Sequence, residues 1–214
     1  IFVFILIEGL PLFLKVGFKN IIFGLKWAPT KGSFGIFPMI ISSFLVTFGA
    51  LIVGGPLGLS CAVYLAEYSR KRMKMLLKPA LELLAGIPSV VYGFLGVVYI
   101  VPLVRNYLGG SGFSLVSTSI ILGIMILPTI ISISFDAIMS VPRTYREGSL
   151  AMGATKWQTI YKVVIPSARS GIMAGFILGM GRAIGETMAV IMIAGNALRI
   201  PTSLLDPLRT LTGN

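Results

Sequence analysis

The sequence predicts an all-α, polytopic transmembrane helical bundle, and three observations predict it. Hydrophobic residues make up 56% of the 214 positions and charged residues only 12%, where a soluble domain carries about 25% charged residues. Mean hydropathy is +0.94. Several windows exceed the roughly 18 to 20 apolar residues that a spanning helix needs. Too little polar surface remains to coat a globule in water.

The elements follow in order. Residues 1–14 (IFVFILIEGLPLFL) read as the tail of a first span, and 1–35 as that tail with an external loop. Residues 37–67 are long enough to span with tilt. A kink is expected at GGP (54–56), where Pro56 removes a backbone donor and the glycines soften the turn. The third block, 80–104, holds another irregularity at GIPS (86–89), and the fourth, 115–139, is expected to break at Pro128. The fifth runs over about 163–195, and 196–214 read as an external loop before a last span. The transmembrane core is then 36–195. The chain begins at Ile1 inside an apolar run and stops at Asn214 in an open polar stretch, so both ends read as cut.

Charge orients these spans. RKRMKMLLK (70–78) packs five basic residues between spans two and three, and the loop before span five carries Arg143, Arg146, Lys156 and Lys162. The positive-inside bias makes both loops cytoplasmic. The loop after span three holds only Arg105, as an external loop should. The first loop disagrees, because it carries Lys15, Lys19, Lys26 and Lys31 and must then be external.

What is absent narrows the function. The chain has no His, which removes imidazole metal sites and Ser-His-Asp triads. The single cysteine, Cys61, cannot form an intrachain disulfide. No G-x-x-x-x-G-K-[ST] occurs, so the chain has no P-loop of its own, and no cofactor is expected in it. No Asp-Asp pair or metal cluster suggests an intramembrane enzyme. The net charge of +11 does not imply nucleic acid, because the basic residues lie in short loops between spans.

The stretch GMGRAIGETMAV (179–190) places Arg182 and Glu186 inside an apolar run. On one helix, Gly171, Gly175, Gly179, Arg182 and Glu186 share an arc of roughly 80°. Such small-xxx-small stripes let helices approach closely in lipid, so the charged pair faces other helices or a cavity. Arg182 is about a dozen residues from the end of its span, or roughly 18 Å, beyond comfortable snorkelling. A charge at that depth costs at least about 2.5 to 3.5 kcal/mol and marks a substrate path, while a simple i,i+4 ion pair fits the same residues. The planar guanidinium suits an oxyanion, particularly phosphate. Glu186 repels sulfate yet can accept a hydrogen bond from protonated phosphate. It is expected to hold Arg182 when the path is empty and to favour phosphate when it is loaded. GMGRAIG is no dinucleotide fingerprint, since its spacing is G-x-G-x-x-x-G and no strand precedes it.

The segment VPRTYREGSLAMGATKWQTIYKVVIPSARSGI (141–172) sets Tyr145, Leu150, Met152 and Trp157 among Arg146, Glu147 and Lys156. It fits a helix lying on the membrane surface or a short helix offered to a partner's groove. Here the sequence resembles the permeases of ABC importers. Glu147, Gly148, Ser149 and Gly153, followed by VVIP (163–166), are similar to their E-A-A-x3-G-x9-I-x-L-P loop, with Gly148 and Ser149 for two alanines, Val163 for Ile and Ile165 for Leu. WAPTKGSFGIFPMI (27–40), PLGLSCAVYLAEYS (56–69), LKPALELLAGIPSVVYG (77–93) and GRAIGETMAV (181–190) together resemble the phosphate-specific importer's permease, more its C-type than its A-type subunit.

The resemblance implies a type I ABC-importer permease (MetI-like) fold, truncated at both ends, in a prokaryotic cytoplasmic (inner) membrane. It implies that Arg182 and Glu186 belong to the phosphate path, with Ser89 and Tyr92 as further candidates there. Ser and Tyr at those positions also suit plain hydrogen bonding between helices. Arg146, Glu147, Gly153, Ala154 and Pro166 are implied for the coupling loop at about 141–166. The partners implied are a homologous second permease subunit, a cytoplasmic ATPase dimer that binds ATP and Mg, an extracytoplasmic phosphate-binding protein, phosphate and the lipid bilayer, with no nucleic acid. Two other readings fit the residues: a permease for sulfate or molybdate, and an anion transporter independent of ATP.

Overall fold

The structure is a computed structural model. It describes Ile7, Gly9, Pro11 and residues 17–214. Apart from those three positions, the span tail expected over 1–14 lies outside the described residues.

Helix α1 (Phe18–Phe23) leads into an antiparallel hairpin of β1 (Trp27–Ala28) and β2 (Ser33–Phe34), in register Trp27 to Phe34. Helix α2 is Phe37–Glu67 and α3 is Lys71–Ala85. Next come α4 (Ser89–Leu95), a π-helical turn at Gly96–Ile100 and α5 (Val101–Leu108), which together make one apolar span over Ser89–Leu108. Helix α6 is Leu115–Met139, α7 Arg143–Ala151, α8 Lys156–Thr159, α9 Ile165–Ser167, α10 Arg169–Gly185 and α11 Met188–Ile193. Among the described residues, α2, Ser89–Leu108 and α6 are long and apolar enough to cross a membrane. The bent pair Lys156–Ser167 and Arg169–Gly185 makes up to four.

Two expectations are corrected here, at Pro128 and in the fifth span. Helix α2 is continuous through GGP. Its glycines serve packing, since a Cβ at Gly54 would lie 2.6 Å from the Gly123 carbonyl oxygen and one at Gly58 2.8 Å from Ile130. Helix α6 likewise runs unbroken past Pro128, which is buried. A proline removes only one ladder bond, and helices in apolar surroundings tolerate that loss. Conversely, the fifth span is not one helix over 163–195. It bends by 69° where Ser167 gives way to Arg169, and it stops at Gly185, with Glu186 extended at φ −74°, ψ 126°.

Helix α6 is the centre, with α2, α3, α10 and α11 packed around it and Leu122, Met125, Ile126 and Ile130 fully buried. The Gly171–Gly175–Gly179 stripe faces it as expected. A Cβ at those positions would lie 2.4 Å from Ala137, 3.2 Å from Ser134 and 3.0 Å from Ile130 respectively. Small residues thus set the α6–α10 distance.

The two basic segments meet at one end of the bundle, around the end of α2. Residues 71–78 are the first half of α3 rather than a loop. At the opposite end, residues 194–214 fold back over the starts of α2 and α6. The Leu115 N–H donates to Asp206 O, Leu208 N–H to Ala194 O and Leu211 N–H to Ser43 Oγ. Leu208 and Thr210 are buried there. The Lys19 and Lys26 segment is at this same opposite end, with the Ile36 N–H donating to Ile21 O.

Candidate functional site

Arg182 and Glu186 are both half-buried, yet they do not pair. Arg182 Nη2 donates to Ala85 O at 3.1 Å, and Glu186 Oε1 accepts from the Ala189 N–H at 3.2 Å. The expected clasp between the two is corrected by the break at Glu186, which takes the carboxylate out of the i,i+4 position it would hold on a continuous helix. Each charge instead meets a helix end. Ala85 is the last residue of α3, whose terminal carbonyls lack intrahelical donors, and a cation suits that negative end. The Glu186 carboxylate takes an orphan N–H at the start of α11. The Glu186 backbone oxygen accepts from Thr212 Oγ1 at 2.9 Å, so the folded-back segment reaches the same break.

Tyr92 is buried, and its hydroxyl donates to Leu84 O at 3.0 Å. It therefore satisfies the same helix end that Arg182 serves. Ser89 is half-buried at the first position of α4, after the Gly86-Ile87-Pro88 break that the sequence announces. Arg182 and Tyr92 thus converge on one feature, the end of α3, which the sequence did not single out.

The segment 141–166 is anchored by Arg146. Its Nε and Nη2 donate to Glu67 Oε1 at 3.0 and 2.8 Å, Nη1 to Val141 O at 2.6 Å and Nη2 to Ile138 O at 2.9 Å. One planar fork thereby ties α7 to the last residue of α2 and to the end of α6. Lys156 Nζ donates to Glu67 O at 2.9 Å and lies 4.2 Å from the centre of the Tyr68 ring. Lys74 Nζ donates to Ala66 O. Three cations therefore gather on the end of α2, where the helix dipole favours them.

Glu147, by contrast, is exposed and makes no hydrogen bond or ion pair among the described residues. With Glu67, Lys74, Arg143 and Arg146 it lines an open cavity of about 280 Å³. Gly153 closes α7 at φ 83°, a conformation that glycine adopts freely, and its N–H donates to Leu150 O. The half-buried Ala154 donates to Ser149 O. Thr155 and Gln158 then cap α8 reciprocally. Ser149 and Thr159 join α7 to α8 through a buried 3.0 Å hydroxyl pair. Pro166 is exposed in α9, two residues before the 69° bend. Tyr145, Leu150, Met152 and Trp157 are all exposed, so this end presents apolar side chains outward.

Comparison with known proteins bears directly on this arrangement. The family described as "Binding-protein-dependent transport system inner membrane component" matches residues 54–206, nearly three quarters of the chain. The chain belongs to that family. As a binding-protein-dependent transport component, it is a membrane transport subunit rather than an enzyme.

Among its relatives, the "Probable ABC transporter permease protein YqgH" of Bacillus subtilis is 45% identical over 215 aligned positions, covering 98% of this chain and 70% of that protein. The "Phosphate transport system permease protein PstC" of Mesorhizobium japonicum is 36% identical over 207, covering 87% and 63%. The "Probable phosphate transport system permease protein PstC" of Methanocaldococcus jannaschii is 32% identical over 201, covering 86% and 64%. The chain thus spans about two thirds of the length of these relatives. Within this transport component the matched region contains Glu67, α3, Arg146, Arg182 and Glu186, while the β1–β2 hairpin lies outside it.

Proposed function

We propose that the chain is the permease portion of an ATP-driven importer of inorganic phosphate in a prokaryotic cytoplasmic membrane. It contributes half of a translocation path whose other half is a homologous permease. An extracytoplasmic phosphate-binding protein delivers the anion. ATP and Mg are bound by a cytoplasmic ATPase dimer and not by this chain. Its subunits receive the exposed Tyr145, Leu150, Met152 and Trp157 together with Glu147. The relatives named as phosphate permeases support the substrate class.

The observation that carries the reading is the bonding of Arg182. Of its five N–H donors, the one hydrogen bond made among the described residues goes to the neutral carbonyl of Ala85. A phosphate oxyanion forms a stronger, charge-assisted bond with a guanidinium than a neutral carbonyl does, so it can displace Ala85. A single arginine also binds weakly enough to release its ion. Glu186 has one oxygen on the Ala189 N–H and another to accept the P–O–H proton of hydrogenphosphate, which sulfate lacks.

The test is uptake of labelled phosphate into proteoliposomes holding the full-length chain with its partner subunits. ATP should drive uptake and Arg182→Gln should abolish it. Uptake that ignores ATP and collapses with an ion gradient would refute the proposal. Equal transport of sulfate would refute the substrate assignment, and an unchanged phosphate preference in Glu186→Gln would remove Glu186 from it.

A further inference from the structure

Arg182 is held by α3, and α3 is held in turn at the opposite end, near the coupling segment. Two lysines on its first half make the attachment. Lys74 Nζ donates to Ala66 O, next to the Glu67 carboxylate that grips Arg146. Lys78 Nζ pairs with Asp136 Oδ1 at 2.7 Å. Asp136 is on the last turn of α6, two residues before Ile138, whose carbonyl accepts from Arg146. Seven residues of α3, about 10 Å of helix, then separate Lys78 from the Ala85 carbonyl. The helix therefore contacts the Arg146 clamp on two sides and carries Arg182 at its far end.

We propose that Lys78 and Asp136 are positioning residues of the translocation path: their ion pair fixes α3 to the end of α6, so that displacement of the coupling segment reaches Arg182 through the Ala85 carbonyl. The proposal rests on the reading of Arg182 as the residue that meets phosphate. It adds a route to the covalent one through Pro166, since α3 bridges the two ends without passing through the bend at Ala168. An exposed ion pair contributes little stability by itself. Its value here is its place, between the end that the ATPase would push and the helix end that retains the guanidinium. The bond to Asp136 also raises the Lys78 pKa above its ordinary 10.5, so Lys78 keeps its charge across the pH range of transport.

The experiment measures phosphate moved per ATP hydrolysed in proteoliposomes of the complete transporter. Wild type is compared with Lys78→Met, Asp136→Asn, the reversed pair Lys78→Asp with Asp136→Lys, and Lys78→Arg. The expected result is uncoupling: each neutralised variant hydrolyses ATP at near the wild-type rate but moves about fivefold less phosphate per ATP, in the range seen for residues that couple distant sites. Lys78→Arg and the reversed pair should restore the ratio. A wild-type ratio in the neutralised variants overturns the proposal. So does a parallel fall of hydrolysis and uptake, which marks a merely structural role, or a reversed pair that assembles without recovering coupling. If the single variants do not assemble, the reversed pair decides alone, and its failure to assemble also counts against the proposal. If wild type moves no phosphate, or Arg182→Gln matches it, the functional reading itself fails, whatever Lys78 does.

Discussion

Removing the Arg146 side chain is expected to loosen the whole 141–166 segment, and the cost can be worked from its bonds. The guanidinium makes two bonds to Glu67 Oε1 and one each to the Val141 and Ile138 carbonyls. The side chains of Arg146 and Glu67 are only 20% and 11% exposed. Truncation leaves the Glu67 carboxylate without its partner ion and strips two carbonyls at the end of α6 of a donor. Breaking a buried pair costs about 3–5 kcal/mol. With a fifth of the arginine still reaching solvent, about 2–4 kcal/mol is expected for Arg146→Ala. Glu67→Gln keeps an acceptor and both carbonyl bonds, so about 1–2 kcal/mol is expected. Arg146→Lys should behave like the alanine variant, because one ammonium cannot reproduce the fork.

The assay is denaturant-induced unfolding of the full-length protein in detergent, as a double-mutant cycle on Arg146 and Glu67. A coupling energy of about 1–2 kcal/mol is expected for side chains in direct contact. Additive effects, or an Arg146→Ala variant within about 0.5 kcal/mol of wild type, would refute the clamp.

Two further outcomes follow from the same structure. Gly171→Ala would put a methyl 2.4 Å from Ala137 Cβ, whereas Gly181 on the same helix has nothing within 4 Å. The first should lose about 1–2 kcal/mol through overpacking and be relieved by Ala137→Gly, while the second should gain up to about 1 kcal/mol in helix propensity; equal stabilities would refute the packing account. Asp206 accepts from the Thr202 N–H, Thr202 Oγ1 and the Ser203 N–H, and these bonds, with Arg199, hold its pKa below 3.8. A depressed carboxyl stabilises fully above its unfolded value and loses that contribution as pH falls through the folded one. Protection of the Thr202 and Ser203 amides, taken relative to their intrinsic exchange rates at each pH, should therefore hold above pH 3.8 and fall only in more acidic solution; loss of protection near neutrality would refute it.

What was legible in the sequence was local. Hydropathy marks the spans. The GIPS break appears as Pro88 opening α4, and the 171–175–179 spacing identifies the face that meets α6. Gly153, which the family resemblance implied for the 141–166 loop, stands in a tight turn with positive φ. Prolines and glycines inside apolar helices mislead, because the same residues mark a kink in one setting and close approach in another. Only the neighbours decide, here Gly123 beside Gly54 and Ile130 beside Gly58. Glu67 and Arg146 are 79 positions apart, and Lys78 and Asp136 are 58 apart. No spacing rule links such pairs in a single sequence. The break at Glu186 did leave a trace, with Gly185 before it and Thr187 after it in the order of a helix stop and a new start. Hydrophobicity on both sides hid it.

That break bears on the role proposed for the two charges. On a continuous helix, Arg182 and Glu186 would neutralise each other, and an arriving anion would have to displace a carboxylate of its own sign. Separated, each is steadied by a partial charge, the arginine by the Ala85 carbonyl and the glutamate by the Ala189 N–H. Helix ends offset part of the desolvation cost of each group without consuming a full counter-charge. A backbone carbonyl is a weaker competitor for a guanidinium than any oxyanion. Interrupting two neighbouring helical segments, at Gly86-Ile87-Pro88 and at Glu186, is therefore what lets a half-buried arginine stay both stable and available. The same logic recurs at the other end of the bundle, where Lys74, Lys156 and Arg146 serve the carbonyls and carboxylate that close α2. Because α3 ends on one of these sets of contacts and begins on the other, a shift of the 141–166 segment has a rigid element through which to change how firmly Arg182 is held.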